Sequence, residues 1–176
     1  GSGRGYHYDW ANDYPGSSND LSKCDNDAQG LADNLPSGWS TPGHGDSNAH
    51  EVHFKRNDMG GSNGDHVDDG DLSYWAGHGS SGLWDSYWSQ SLSGIILGNQ
   101  TQDDANGMPG DAHDAYGDAD MEWLVLAACQ VLDATSRPFW HDTFNGTHLL
   151  CGAETNIDDA AYGKTMGKKL VDNGAF

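Results

Sequence analysis

Two residues pair nucleophilic with proton-transfer chemistry at matching places in the chain: His78, in WAGHGSSG, and Cys129, in LVLAACQVL. Each closes a short apolar run, LSYWA before Gly77-His78-Gly79 and WLVLA before Ala128-Cys129. A thiol attacks carbonyl carbon only as thiolate, and a nearby imidazole supplies that state by taking the proton or by stabilising the anion as imidazolium. Reactive groups of open parallel sheets gather beyond the carboxyl ends of the strands, so adjacent parallel strands would hold this pair a few ångströms apart. Taken singly, each has a plainer role, the cysteine as a small core hydrophobe and the histidine as a turn residue.

The elements that must position them follow from hydrophobic spacing. GYHYDW (5–10) alternates Tyr6, Tyr8 and Trp10 with polar residues and reads as a strand. Residues 18–35 place Leu21, Cys24, Ala28, Leu31 and Leu35 at helical spacing, with Asn19 or Asp20 as N-cap and Pro36 beyond the end. HEVHFK (50–55) is a weaker strand, DLSYWAGHG a buried one and GIILG (94–98) another. The polar stretch 99–120 reads as a long functional loop or lid. WLVLAACQVL (123–132) is the most apolar run and suits a central strand buried on both faces. RPFWHDTFNG (137–146) predicts a short helix, THLLCGAE a strand, and 158–174 a closing helix with acids in its first turn and Gly174 as cap. Strands alternating with helices predict one α/β domain built on a mostly parallel sheet.

An apolar block ending in His-Gly, followed by a second ending in Ala-Cys or Gln-Cys, resembles the signature of the caspase, legumain, clostripain and gingipain superfamily of cysteine peptidases. The order agrees, and the separation is close to the roughly 50 residues of the caspase pattern. The chain is most similar to prokaryotic gingipain-like domains, in which a third strand of Leu-His-Leu type ends in Gly, here THLLCG (147–152). The resemblance spans roughly residues 5–174 and implies a three-layer caspase-like α/β fold. Similar domains continue with a further Trp-containing segment, so the resemblance implies a C-terminus trimmed at Phe176. It also implies Cys129 as nucleophile, His78 as general acid/base, and the N–H groups of Gly79 and Cys129 as oxyanion donors. No third catalytic residue is required. Asp133, just past Cys129, is the candidate to face a basic substrate side chain; Arg137 is the nearby candidate for an acidic one.

Other clusters carry weaker signals. His44, His50, His53 and His66 could ligate a metal, but the HxxH at 50–53 lacks the adjacent acid of a metalloprotease helix. Asp114, Asp118, Asp120 and Glu122 offer hard oxygen ligands for a structural calcium off the EF-hand spacing, with a solvated acidic loop as the other reading. Three cysteines leave an odd thiol even if Cys24 and Cys151 pair. Trp75, Trp84, Tyr87 and Trp88 could line a substrate groove or pack as core.

Composition bounds the partners. The chain carries 27 acidic residues against 8 Lys and Arg, for a formal net charge of −19. Phosphate binding needs a basic face, so nucleic acid is excluded as partner, and an anionic membrane surface is repelled. A saline habitat and an ordinary acidic secreted protein explain the charge equally well. No apolar run is long enough to span a membrane. The GSGRG start without Met suggests processing or a cloning remnant, and the sequons at Asn99 and Asn145 fit an extracellular or cell-surface location. The expectation is a secreted cysteine endopeptidase acting on polypeptides through Cys129 and His78, with no required cofactor. The alternative is an inactive scaffold of the same fold used as an acidic surface or assembly protein.

Overall fold

A computed structural model describes residues 4–39, 42–98 and 104–173. Five parallel strands form the central sheet: β1 (Tyr6–Trp10), β2 (Gly43–Gly45), β3 (Leu72–Ala76), β7 (Trp123–Ala127) and β8 (Leu149–Gly152), in the spatial order β2-β1-β3-β7-β8. Between β3 and β7 the chain builds a smaller antiparallel sheet from β4 (Gly79–Asp85), β5 (Gln90–Ile96) and β6 (Asn106–Gly107). Among the described residues, three α-helices complete it: α1 (Cys24–Ala32), α2 (Arg137–His141) and α3 (Tyr162–Asp172). The result is the expected α/β fold in three layers.

The alternation in β1 decides what each face holds. Tyr6 and Tyr8 point to the α1 and α3 side, where their hydroxyls donate to Ala28 O (3.2 Å) and Gln29 Oε1 (2.8 Å) and where Leu31, Leu72, Tyr74 and Val125 join them. His7 and Asp9 point to the other side. That face is covered by Ile95 and Leu97, by Trp140 of α2, and by Phe54, Val67 and Tyr116 from turns, all packed on Trp75, Leu124 and Leu126. Strands β3 and β7 are covered on both faces, which is why their sequences read as continuous apolar runs.

Several expected elements differ. Helix α1 begins at Cys24 rather than near residue 18, because its cap is non-local: Asn12 Oδ1 accepts the N–H groups of Cys24 (3.0 Å) and Asp25 (3.3 Å). Asn19 lies instead in a separate 3-10 turn, Ser17–Asn19. Residues 51–53 of the expected strand 50–55 form a 3-10 turn, with Glu51 buried and bonded to Lys55 Nζ at 3.2 Å and His53 turned inward. Gly94–Ile96 of GIILG close the hairpin arm β5, outside the main sheet. The stretch 104–120 carries β6 and a turn at Pro109–Ala112 rather than a structureless lid. Helix α3 starts after Asp158 and Asp159, which therefore lie outside its first turn. The sequon 99–101 and Gly174 fall outside the described residues.

Candidate active site and a buried histidine cluster

Strands β3 and β7 pair Ala76 with Ala127, so His78 and Cys129 each stand two residues beyond the same rung. Both line one small cleft, open to solvent, with Leu21, Cys24, Asp27 and Ile157–Ala160 around them. Both are half-buried.

Each reactive group is held by backbone. His78 Nε2 lies 2.8 Å from the carbonyl oxygen of Asn19, which can only accept, so in the neutral ring Nε2 carries the proton and Nδ1 the lone pair. The ring also packs at 4.5 Å on Tyr14, whose hydroxyl accepts the His78 N–H at 2.7 Å and donates to Ile96 O at 3.1 Å. The Cys129 sulfur accepts the Ile157 N–H at 3.3 Å and faces the Ile157 carbonyl oxygen at 3.6 Å. Gln130 follows with φ of 59°, a left-handed turn that non-glycine residues adopt at a cost of about 1–2 kcal/mol. Its side-chain oxygen accepts from Ser81 Oγ at 3.1 Å, tying together the two loops that follow β3 and β7.

Gly79 is required by contact. A Cβ there would lie 2.4 Å from the Cys129 carbonyl oxygen and 2.9 Å from both the Ala128 and Val131 side chains. Gly79 pairs with Ile95 across a rung flanked by the Ile96 N–H to His78 O bond (2.9 Å), so its own N–H points away from β5. The N–H of Cys129 makes no hydrogen bond among the described residues.

Asp133 is placed elsewhere. It organises the turn ahead of α2, accepting the N–H groups of Thr135 and Ser136 at 2.9 Å each, and does not line the cleft. Burial works to raise its carboxyl, but those N–H groups outweigh it and hold it below the usual range. Arg137 is exposed and pairs with Glu154 at 3.6 Å. The carboxylates that do line the cleft are Asp27, Asp158 and Asp159, and no Lys or Arg stands among the described lining residues. Asp27 is buried, which pushes its carboxyl up, and it accepts Tyr74 Oη–H at 3.0 Å and the Gly163 N–H.

The four acids considered for calcium do not converge. Asp114 is exposed beside His113 (3.5 Å), Glu122 pairs with His148, and Asp118 and Asp120 flank a loop organised by Asp68. Asp68 is fully buried and accepts N–H groups from Gly117 (2.6 Å), Ala119 (3.0 Å) and Met121 (3.3 Å), so a protein carboxylate sits at the centre of the loop. Cys24, Cys129 and Cys151 are all free thiols; burial pushes Cys24 and Cys151 up. Trp75 is core, whereas Trp84 is 65% exposed on the hairpin and Tyr87 and Trp88 pack beside His113.

On the opposite face of the sheet, three histidines surround Asp9. His53 Nδ1 lies 2.7 Å from Asp9 Oδ2, and His44 Nδ1 and His7 Nε2 each lie 3.1 Å from Oδ1. Burial works to raise the Asp9 carboxyl, but the pull of His7 and hydrogen bonds from His44 and His53 outweigh it and hold it far below the carboxylate range. His66 stacks on His53 at 4.1 Å. Sequence spacing had grouped His44, His50, His53 and His66; it missed His7 and Asp9, whose only signal is that i and i+2 on a strand share a face. The Asn19 carbonyl has no side-chain signature and could not have been found that way.

The profile of a domain family of unknown function, DUF6345, matches residues 8–175, and the chain belongs to that family. No curated protein and no solved structure is a match to it.

Proposed function

We propose that this DUF6345 domain is a secreted, caspase- or gingipain-like cysteine endopeptidase, with Cys129 as nucleophile and His78 as acid/base. The observation that carries the reading is the placement of both groups, equally far past one rung of adjacent strands, in a single open cleft. Cys129 passes its proton to His78 Nδ1 and the sulfur attacks the scissile carbonyl carbon. The N–H groups of Gly79 and Cys129 meet the resulting oxyanion. His78 then protonates the amine as the C–N bond breaks, leaving a thioester. Water, deprotonated by His78, releases the acid and restores the thiol. The Asn19 carbonyl serves as the orienting third member by fixing the tautomer. Substrates are polypeptides with a cationic side chain at the cleaved residue, a preference supported by Asp27, Asp158 and Asp159 rather than by Asp133.

One observation favours the second reading, an inactive scaffold: His78 and Cys129 each bond to backbone rather than to each other. A peptide-library cleavage assay of the protein against Cys129→Ala, with and without calcium, separates the two. Cleavage after Lys or Arg that vanishes in the variant supports the peptidase; equal, background cleavage by both establishes the scaffold.

A further inference from the structure

We propose that His7, Asp9, His44 and His53 form a binding site for a divalent ion of the zinc class, serving to staple β1, β2 and the 51–53 turn together. Among the described residues these four alone bring three or more ligand groups together, with one ligand atom from each all within 4.8 Å of one another. The separations to Asp9, 2.7–3.1 Å, approach the ~3.3 Å edge of a tetrahedron built on Zn–N and Zn–O bonds of about 2.0–2.1 Å.

The second observation is His7. It is 2% exposed, and neither ring nitrogen has a hydrogen-bond partner, although Nε2 stands 3.1 Å from Asp9 Oδ1. Burying an imidazole without partners is costly unless its lone pair has something to meet, and an ion beside Asp9 provides it. Supporting contacts fix the donors: the His44 N–H donates to Asp9 Oδ1 at 3.2 Å, and His66 lies flat on His53. Three imidazoles and one carboxylate select zinc-class ions over calcium, which takes six to eight oxygens.

The role is structural. Four protein donors fill a tetrahedral set and leave no open position for a reaction. Only His44, its side chain 31% exposed, reaches solvent and offers an access path. The segment the ion would fasten, residues 46–69, contains only 3-10 turns, yet buries Ala49, Glu51, His53, Phe54, Val67 and Asp68. None of the four ligands lines the cleft of His78 and Cys129, so the site stands independently of the peptidase reading.

The test uses the full chain stripped with a chelator and titrated with Co²⁺. One equivalent should give the visible band of tetrahedral cobalt, without a thiolate charge-transfer band, and Zn²⁺ should displace it. Zinc at about 100 times its Kd should raise Tm by roughly 5–10 °C, with affinity falling as protons compete at lower pH. His44→Gln, the most exposed ligand and the variant most certain to fold, should weaken binding at least roughly 10–100-fold; His148→Gln, on the surface, should not. Absence of both the band and the zinc-dependent Tm shift in the unaltered protein would overturn the site. So would binding undiminished in His44→Gln, or a thiolate band placing the ion at a cysteine.

Discussion

The tripeptide Gly-His-Gly occurs twice, at 43–45 and 77–79, and the two copies are put to opposite uses. In the first, a Cβ at Gly43 or Gly45 would enter the rings of Tyr8 and Trp10, so the glycines let β1 aromatics lie across the edge strand. His44 is thereby brought against the buried Asp9. In the second, glycine lets one strand end rest on the Cys129 backbone, and His78 is left facing an open cleft. The first copy works side chain to side chain against a buried carboxylate, with His44 itself half-buried. The second copy faces the cleft, and the hydrogen bonds of its imidazole and of the Cys129 sulfur go to backbone groups. Identical local sequence therefore does not specify the chemistry; what the glycines are packed against does.

That contrast predicts which variants lose activity and which lose stability. Cys129→Ala should reduce peptide cleavage by at least about 10³-fold while leaving the urea midpoint nearly unchanged. Asp9→Ala should do the reverse, costing about 3–5 kcal/mol in urea unfolding because it strands buried imidazoles. A stable Asp9→Ala protein would break the comparison. Gly79→Ala should combine both kinds of effect: overpacking of about 1–3 kcal/mol, with slower iodoacetamide labelling of Cys129 because the Cβ displaces its carbonyl.

The pH response sharpens it further. Burial pushes Asp68 and Asp111 up to about 7, Asp68 with help from Asp118. Between about pH 4 and 7 each keeps a proton in the folded state that the unfolded chain has released. Their stabilising contribution is therefore full below about pH 4 and lost as pH rises through 7. His44, raised by Asp9, and His53, lowered by burial, oppose each other. Thermal unfolding should occur at lower temperature at about pH 8 than at about pH 5; a rise instead would show that the histidine cluster dominates. The smallest effect expected is a gain in Tm from low to molar salt, as screening relieves the −19 charge. A flat response would remove the halophilic reading.

The open site was the legible one. LSYWA and WLVLA are largely apolar runs because β3 and β7 are covered on both faces, and a strand end followed by a reactive residue is a local pattern. Its supports were not legible, since they are a carbonyl at Asn19, an amide at Ile157 and carboxylates brought in by the segment before α3. Asp133 was misplaced for a similar reason: closeness to Cys129 in sequence placed it near the chemistry, whereas three backbone atoms of the following turn claim its carboxylate and its carbonyl. The buried cluster draws on β1, β2 and a 3-10 turn from three separate stretches. Only a known strand pairing, Asp9 beside His44, brings them together.

The turn that orients His78 also sets a limit on the whole molecule. Ser17–Asn19 buries none of its residues, and the backbone bonds of Asn19 and Asp20 reach back only to Gly16 and Ser17. Such segments open locally at a small fraction of the free energy needed to unfold the core. With its carbonyl gone, the imidazole is free to take the other tautomer. Under the proposed peptidase reading, a gently warmed sample would stop cutting while every strand was still in register, so heat inactivation would report on one exposed turn and not on the fold.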